Sequence, residues 1–355
     1  MSKKIITLLL SSLSISSFAA VELTDTLSLS GFASTSWSKS NNDMPLMITR
    51  NVQDENCWDC DTTFGLQLDY FNENLTASAQ LVKRPQDNWS DPELEWAYIG
   101  YSLSNEVELR AGRLRLPVFL ASEYYYVGHA YTTARPPEEV YSSILGITAY
   151  NGANLVWNKE LYDEYQLSIT PFISFKDNNE INISNTLVVE VNIQDISGIN
   201  LQFSSENYKI NLAHFTANYD QTFQFTNAAL DTPDRRFELY SFGFEYDIGA
   251  LKLSGERQLA NVRSTWYSSA AYHIDKFTPY IVYGETFTKE TDITPFDGVS
   301  GTSALIGVRY DLKYNLSVNL EWQQFKAKGG QRGPFVSTPQ DPDANTLTVM
   351  FNYVF

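Results

Sequence analysis

The chain has 355 residues, with 42 acidic against 25 basic side chains and a formal net charge of −17. So acidic a protein repels phosphate backbones, which excludes nucleic acid as a partner. Apolar residues make up 43% of the chain while its mean hydropathy is −0.27. Greasy positions are therefore interleaved with polar ones, as in strands with one dry and one wet face.

The first element is a leader. Lys3 and Lys4 precede an apolar run over residues 5–10, and Ser17, Phe18, Ala19 and Ala20 close it with mostly small side chains. This is the pattern of a secretory signal peptide over residues 1–19, with cleavage expected after Ala19. The run is shorter than the roughly 20 apolar residues of a spanning helix. Loss of Lys3 and Lys4 with the leader takes the net charge from −17 to −19. No later apolar stretch is long enough to span as a helix, so the exported chain is either soluble or crosses a membrane with strands.

Cys57 and Cys60 follow as the two cysteines of the chain. Outside the cytoplasm so close a pair reads as a disulfide stapling a loop, since no redox-type βαβ context or further metal ligand accompanies it.

Period-two alternation then dominates. Phe64, Leu66, Leu68 and Tyr70 share one face; so do Leu75, Ala77, Ala79 and Leu81; Leu316, Val318, Leu320 and Trp322 oppose Ser317, Asn319, Glu321 and Gln323; Leu347, Val349, Phe351, Tyr353 and Phe355 end the chain. Connections are of two kinds. Tight ones fall at 72–74, 104–105, 160–164, 206–207, 248–249, 275–276 and 313–314. Long or irregular ones fall at 40–61, 85–92, 117–146, 177–185, 220–235, 261–263, 289–301 and 327–344. They alternate along the chain if residues 186–205 form one strand with a bulge near Ser197 and Gly198. The expected fold is all-β: a transmembrane antiparallel β-barrel over residues 20–355 with about sixteen strands. A soluble sandwich gives no reason for loops to sort by length between two ends.

Signal peptide, amphipathic strands, alternating loops and a final Asn352-Tyr353-Val354-Phe355 together resemble a Gram-negative outer-membrane porin. The segment from Leu109 through Arg110, Gly112, Arg113 and Arg115 to Pro117 is similar to the strand leading into the inward-folded third loop of porins, the phosphate-selective group included. The resemblance implies an outer-membrane location, contact with outer-membrane lipid and lipopolysaccharide, a homo-oligomer, normally a trimer, and small hydrophilic solutes as the cargo.

The loop at 117–146 carries the functional signal. Apolar phase passes from Val107, Leu109 and Ala111 to Leu114 and Leu116, so a slip at Gly112 is expected to turn Arg110, Arg113 and Arg115 into the lumen, because an arginine facing mid-membrane lipid costs about 2–4 kcal/mol. Glu123, Tyr124, Arg135, Glu138 and Glu139 on the loop are expected to face them across a constriction that sorts solutes by size and charge. His129, His214 and His273 lie in separate elements without a catalytic pattern, and no phosphate loop or metal-ligand spacing occurs, so neither enzyme activity nor a cofactor is expected. The resulting reading is a water-filled channel for passive diffusion. Its alternatives are a channel specific for an oligosaccharide or for phosphate or another oxyanion, and a non-conducting adhesin or receptor barrel.

Overall fold

Alternating residues cannot bury one face as isolated strands, and the chain resolves this by closing a sheet on itself. A computed structural model describes residues 20–48, 50–85, 91–144, 147–162, 164–184, 187–290 and 295–355. The expected leader, residues 1–19, lies outside the described residues. The strands are β1 (Val21–Thr24), β2 (Leu27–Ser40), β3 (Thr63–Asn72), β4 (Leu75–Lys83), β5 (Glu93–Ser102), β6 (Val107–Arg115), β7 (Ala149–Leu161), β8 (Tyr165–Ser174), β9 (Asp177–Ser184), β10 (Leu187–Ser204), β11 (Tyr208–Phe225), β12 (Ala228–Ile248), β13 (Leu251–Ala260), β14 (Arg263–Tyr272), β15 (Phe277–Thr288), β16 (Gly298–Lys313), β17 (Leu316–Ala327) and β18 (Asp343–Val354). One short helix, α1 (Glu138–Tyr141), lies between β6 and β7.

Sequential strands pair antiparallel, and β18 closes on β2, with Val354 opposite Phe32 and Thr346 opposite Ser40. β8 and β9 pair in tandem with β10, through Ile173 opposite Ser197 and Asp177 opposite Ile193, so they form a single stave. β1 is a short arm folded on β2. The closed barrel therefore has sixteen staves. Around the stretch where every stave pairs on both sides no edge is open, the condition for placing a sheet in lipid. β9 and the first half of β12 extend beyond it and pair with β10 and β11 alone, respectively.

The pleat sorts the side chains. On β17, Leu320 and Trp322 are 47% and 45% exposed while Asn319 and Glu321 are 0% and 2%. Leu66, Ile99, Leu109, Ile281 and Ile306 continue the exposed apolar band around the outside. Inside, the wall formed by β17, β18 and β2 is polar, carrying Asn319, Glu321, Thr348, Asn352, Ser34 and Ser38. The wall around β7 to β12 is apolar, with Tyr150, Phe172, Phe215 and Leu239 in the largest hydrophobic cluster.

Three local expectations change. Residues 177–184, 220–225 and 228–235 are strand, not loop: β10, β11 and β12 run for 18, 18 and 21 residues, well beyond the 9–11 needed to span. The bulge in β10 lies between Ile193 and Asp195, not at Ser197 and Gly198. The ladders through Gly112 show no register shift. Gly112 has φ +135°, and a Cβ there would stand 2.4 Å from the Ala97 carbonyl, so the position requires glycine without slipping the strand. The register shift nearby falls between Gln80 and Leu81 against β5, where Glu95 is the extra residue.

Candidate functional site

The described residues between Leu116 and Thr148 reach inner-face groups of β2, β11, β13, β16, β17 and β18. Asn211 of β11 donates to the Val118 carbonyl (3.4 Å), and Glu256 of β13 accepts the Leu120 N–H (2.9 Å) and the Tyr141 hydroxyl (2.5 Å). Arg309 of β16 donates to the carbonyls of His129 and Tyr131. Asn319 of β17 donates to the Thr132 carbonyl (2.7 Å), and Glu321 accepts the Ala134 N–H (2.7 Å). Gly128 lies so close to β2 and β18 that a Cβ would stand 2.5 Å from Ser34 Oγ and 2.3 Å from Asn352 Oδ1. A segment that touches all these inner-face groups lies within the barrel.

Its sequence explains how it stays there. Val118, Phe119, Ala121, Val140 and Tyr141 join the apolar wall in one buried cluster. Each large side chain so buried contributes roughly 1.5–3 kcal/mol. Ser122 Oγ accepts the N–H groups of Val118 and Phe119, turning the chain after Pro117. Pro136 and Pro137 lead into α1, and the Ser143 hydroxyl donates to the Val140 carbonyl at its end. Backbone groups of Val118, Leu120, Thr132 and Ala134 meet buried carboxylates and amides, as buried polar groups require.

Charge is arranged in two buried chains. Glu95 accepts from Arg84 (2.8 Å), Arg115 and Thr148, and both arginines lie near the Tyr126 ring, at 5.8 and 5.5 Å from its centroid. Asp61 takes Arg50 (2.9 Å) and Arg135 (3.4 Å), while Arg50 also pairs with Glu138. Burial alone would raise the Asp61 carboxyl, but Arg135, Arg50 and the hydroxyls of Ser36 and Ser38 hold it below the usual aspartate value. Burial raises Glu139, which has no cation against it and whose Oε2 has no hydrogen-bond partner among the described residues.

The family model for Gram-negative porins matches residues 7–330. The chain belongs to the Gram-negative porins. Among solved structures, the outer-membrane expressed OmpT of Vibrio cholerae aligns with a TM-score of 0.61 at 11% identity, covering 94% of this chain and 99% of its own. OmpF of Salmonella typhi, in complex with daunomycin, gives 0.60 at 13%, covering 93% and 97%. The anion-selective porin from Comamonas acidovorans gives 0.57 at 13%, covering 93% and 99%. At these identities the likeness is one of fold. No curated protein matches the chain. Membership of this family makes it an outer-membrane channel protein.

In this porin the residues singled out from sequence fall into three groups. Arg110 is part-exposed, pairs with Glu108 (2.6 Å) and lies 5.4 Å from the Tyr98 ring centroid. Glu123 is exposed, and Tyr124 is half-buried against Tyr131 and Lys209. Arg115, Arg135 and Glu139 are buried, and Glu138 is neutralised by Arg50. Arg113 pairs in the ladder with Ala97 and Asn151, shares the face of Leu109 and Ile99, and is held by Asp177 (3.2 Å) and the Leu94 carbonyl. The arginines thus have wall carboxylates as partners rather than the loop glutamates expected. Tyr125 and Tyr126 pack, Tyr125 stacking on Tyr141 at 5.7 Å, and burial pushes Tyr125 up to about 12.

Cys57 and Cys60 form a disulfide, with Cα atoms 5.8 Å apart. Sequence reasoning missed Arg50, Asp61, Arg84, Glu95, Glu256 and Arg309. For Glu95, Glu256 and Arg309 the available signal was an ionisable side chain within an alternating strand; Arg50, Asp61 and Arg84 lie outside the strands, where no alternation marks them.

Proposed function

We propose that this porin conducts small hydrophilic solutes and ions by passive diffusion through a passage narrowed by the 117–146 loop. The observation that carries the reading is the loop's attachment to inner-face groups from β11 around to β2, which leaves solutes only the space it does not fill. Arg110 with Glu108, together with Glu123, Tyr124 and Lys209, lines the less buried part of that space and supplies mixed charge. Mixed charge in a narrow polar passage selects weakly by sign and strongly by size. Small stepwise conductance in planar bilayers, with swelling of protein-containing liposomes in small but not large sugars, supports this function; absence of conductance steps refutes it.

A solute-specific channel is the second reading, favoured by how much of the inner wall is buried under the loop. It requires conductance that saturates and is blocked by its solute. The leader over residues 1–19 is proposed to be cleaved on export, and the barrel to assemble as a homotrimer in contact with lipid and lipopolysaccharide, in keeping with the porin resemblance. Mass spectrometry and chemical crosslinking of the purified protein test these two proposals.

A further inference from the structure

Two arginines outside the buried charge chains border one small cavity. It measures about 40 Å3 and lies between α1 and the β14 to β16 wall, bordered by Glu139, Ser142, Arg263, Thr286, Thr302 and Arg332 among others. One water needs roughly 10–15 Å3 on this measure, so the space accommodates more than a single water. Arg263 donates to the Ser143 carbonyl (3.0 Å) and Arg332 to the Phe335 carbonyl (3.3 Å). Neither has a carboxylate within 4.0 Å among the described residues, although their like charges are near enough to oppose each other. Each guanidinium has five N–H donors, so most of this donor capacity is uncommitted.

Both guanidinium groups are half-buried, and charges partly withdrawn from water are normally paired, because desolvation without a partner is costly. The nearby acids do not fill the role. Glu138 is engaged by Arg50, and Glu139 makes no ion pair with either arginine. A raised Glu139 carboxyl holds its proton more readily and can then donate to an anion instead of repelling it. Hydroxyls on Thr286 and Thr302 add neutral donors on the same lining, whereas that of Ser142 donates to the Glu138 carbonyl.

We propose that this cavity binds a small oxyanion of the phosphate or sulfate kind, held by Arg263 and Arg332. Guanidinium pairs suit such ligands because planar N–H forks match oxyanion edges. Because Ser142 belongs to the inner loop and Thr286 and Thr302 to the wall, the bound anion fastens loop to barrel. The claim concerns equilibrium binding and does not depend on what the channel transports.

The test is thermal unfolding of the purified, detergent-folded protein in inorganic phosphate against chloride at equal ionic strength and neutral pH. Phosphate is expected to raise the midpoint by several degrees in a saturable way. The Arg263→Gln, Arg332→Gln double variant is expected to lose that rise, while Glu139→Gln keeps or enlarges it. An equal rise in the double variant, or none in wild type, overturns the site. If the double variant does not fold, Arg332→Gln, which alters a loop residue alone, is expected to weaken the apparent phosphate affinity at least tenfold; unchanged affinity overturns the proposal equally.

Discussion

Glu256 on β13 accepts the backbone N–H of Leu120 at 2.9 Å, joining the barrel wall to a loop residue 136 positions earlier. The same carboxylate takes the hydroxyls of Tyr141 (2.5 Å) and Tyr267 (2.9 Å). Three buried donors therefore depend on one acceptor, and a buried donor left unpaired costs about 1–3 kcal/mol. Glu256→Ala is expected to lower the thermal midpoint of the folded barrel clearly, with Glu256→Gln recovering part of the loss; differential scanning calorimetry in detergent checks the order.

Arg115 and Arg110 separate structure from selectivity. Removing Arg115 strips a cation from fully buried Glu95, leaving Arg84 as its one ion-pair partner. Breaking such a buried pair typically costs about 3–5 kcal/mol. Arg115→Ala is expected to destabilise the barrel. Arg110→Ala is expected to shift the reversal potential in a salt gradient toward cations with little loss of stability. A selectivity change from Arg115→Ala as large as that from Arg110→Ala would contradict the placement.

Acid is expected to loosen the Asp61 clamp. Because Asp61 is held below 3.8, its ordinary value, the folded state binds its proton less readily than the unfolded state. The stability from Arg50 and Arg135 is therefore fully present above that value and is lost as pH falls through the lower folded one. Asp61→Asn is expected to flatten this acid dependence while lowering stability at neutral pH. Unfolding midpoints between pH 7 and pH 2 for both proteins read it directly.

The disulfide is a local staple. With a sequence separation of 3 between Cys57 and Cys60, chain-entropy reasoning gives about 2 kcal/mol at most. The Cys57→Ser, Cys60→Ser variant is expected to fold and conduct like wild type, with a modestly lower midpoint. Maleimide labelling should find no free thiol in the native oxidised protein.

Much of the barrel was legible in period-two alternation, because a strand with one face in lipid must write that face into every second residue. Leu320 and Trp322 outside, with Asn319 and Glu321 inside, fall where the pattern put them. The tall hairpins were not legible: Asp177, Asn178 and Asn179, or Asp231, Pro233 and Asp234, carry no lipid-facing alternation because strand above the membrane needs none. Long-range partners were hidden for a different reason. Arg113 and Arg115 look equivalent in sequence, yet the register shift beside Glu95 brings a carboxylate to one, while Asp177, from the tandem stave, meets the other. Nothing local to either arginine encodes those neighbours.

The central proposal is that the 117–146 loop, held against the inner wall by hydrogen bonds, sets the width of the passage. Single-channel conductance of wild type against the Glu256→Ala, Glu321→Ala double variant tests it most directly, since these carboxylates hold the loop backbone at Leu120 and Ala134. The variant, shown to be folded by its β-sheet circular dichroism, is expected to give larger or noisier conductance steps than wild type. Identical steps from a folded double variant would contradict the claim.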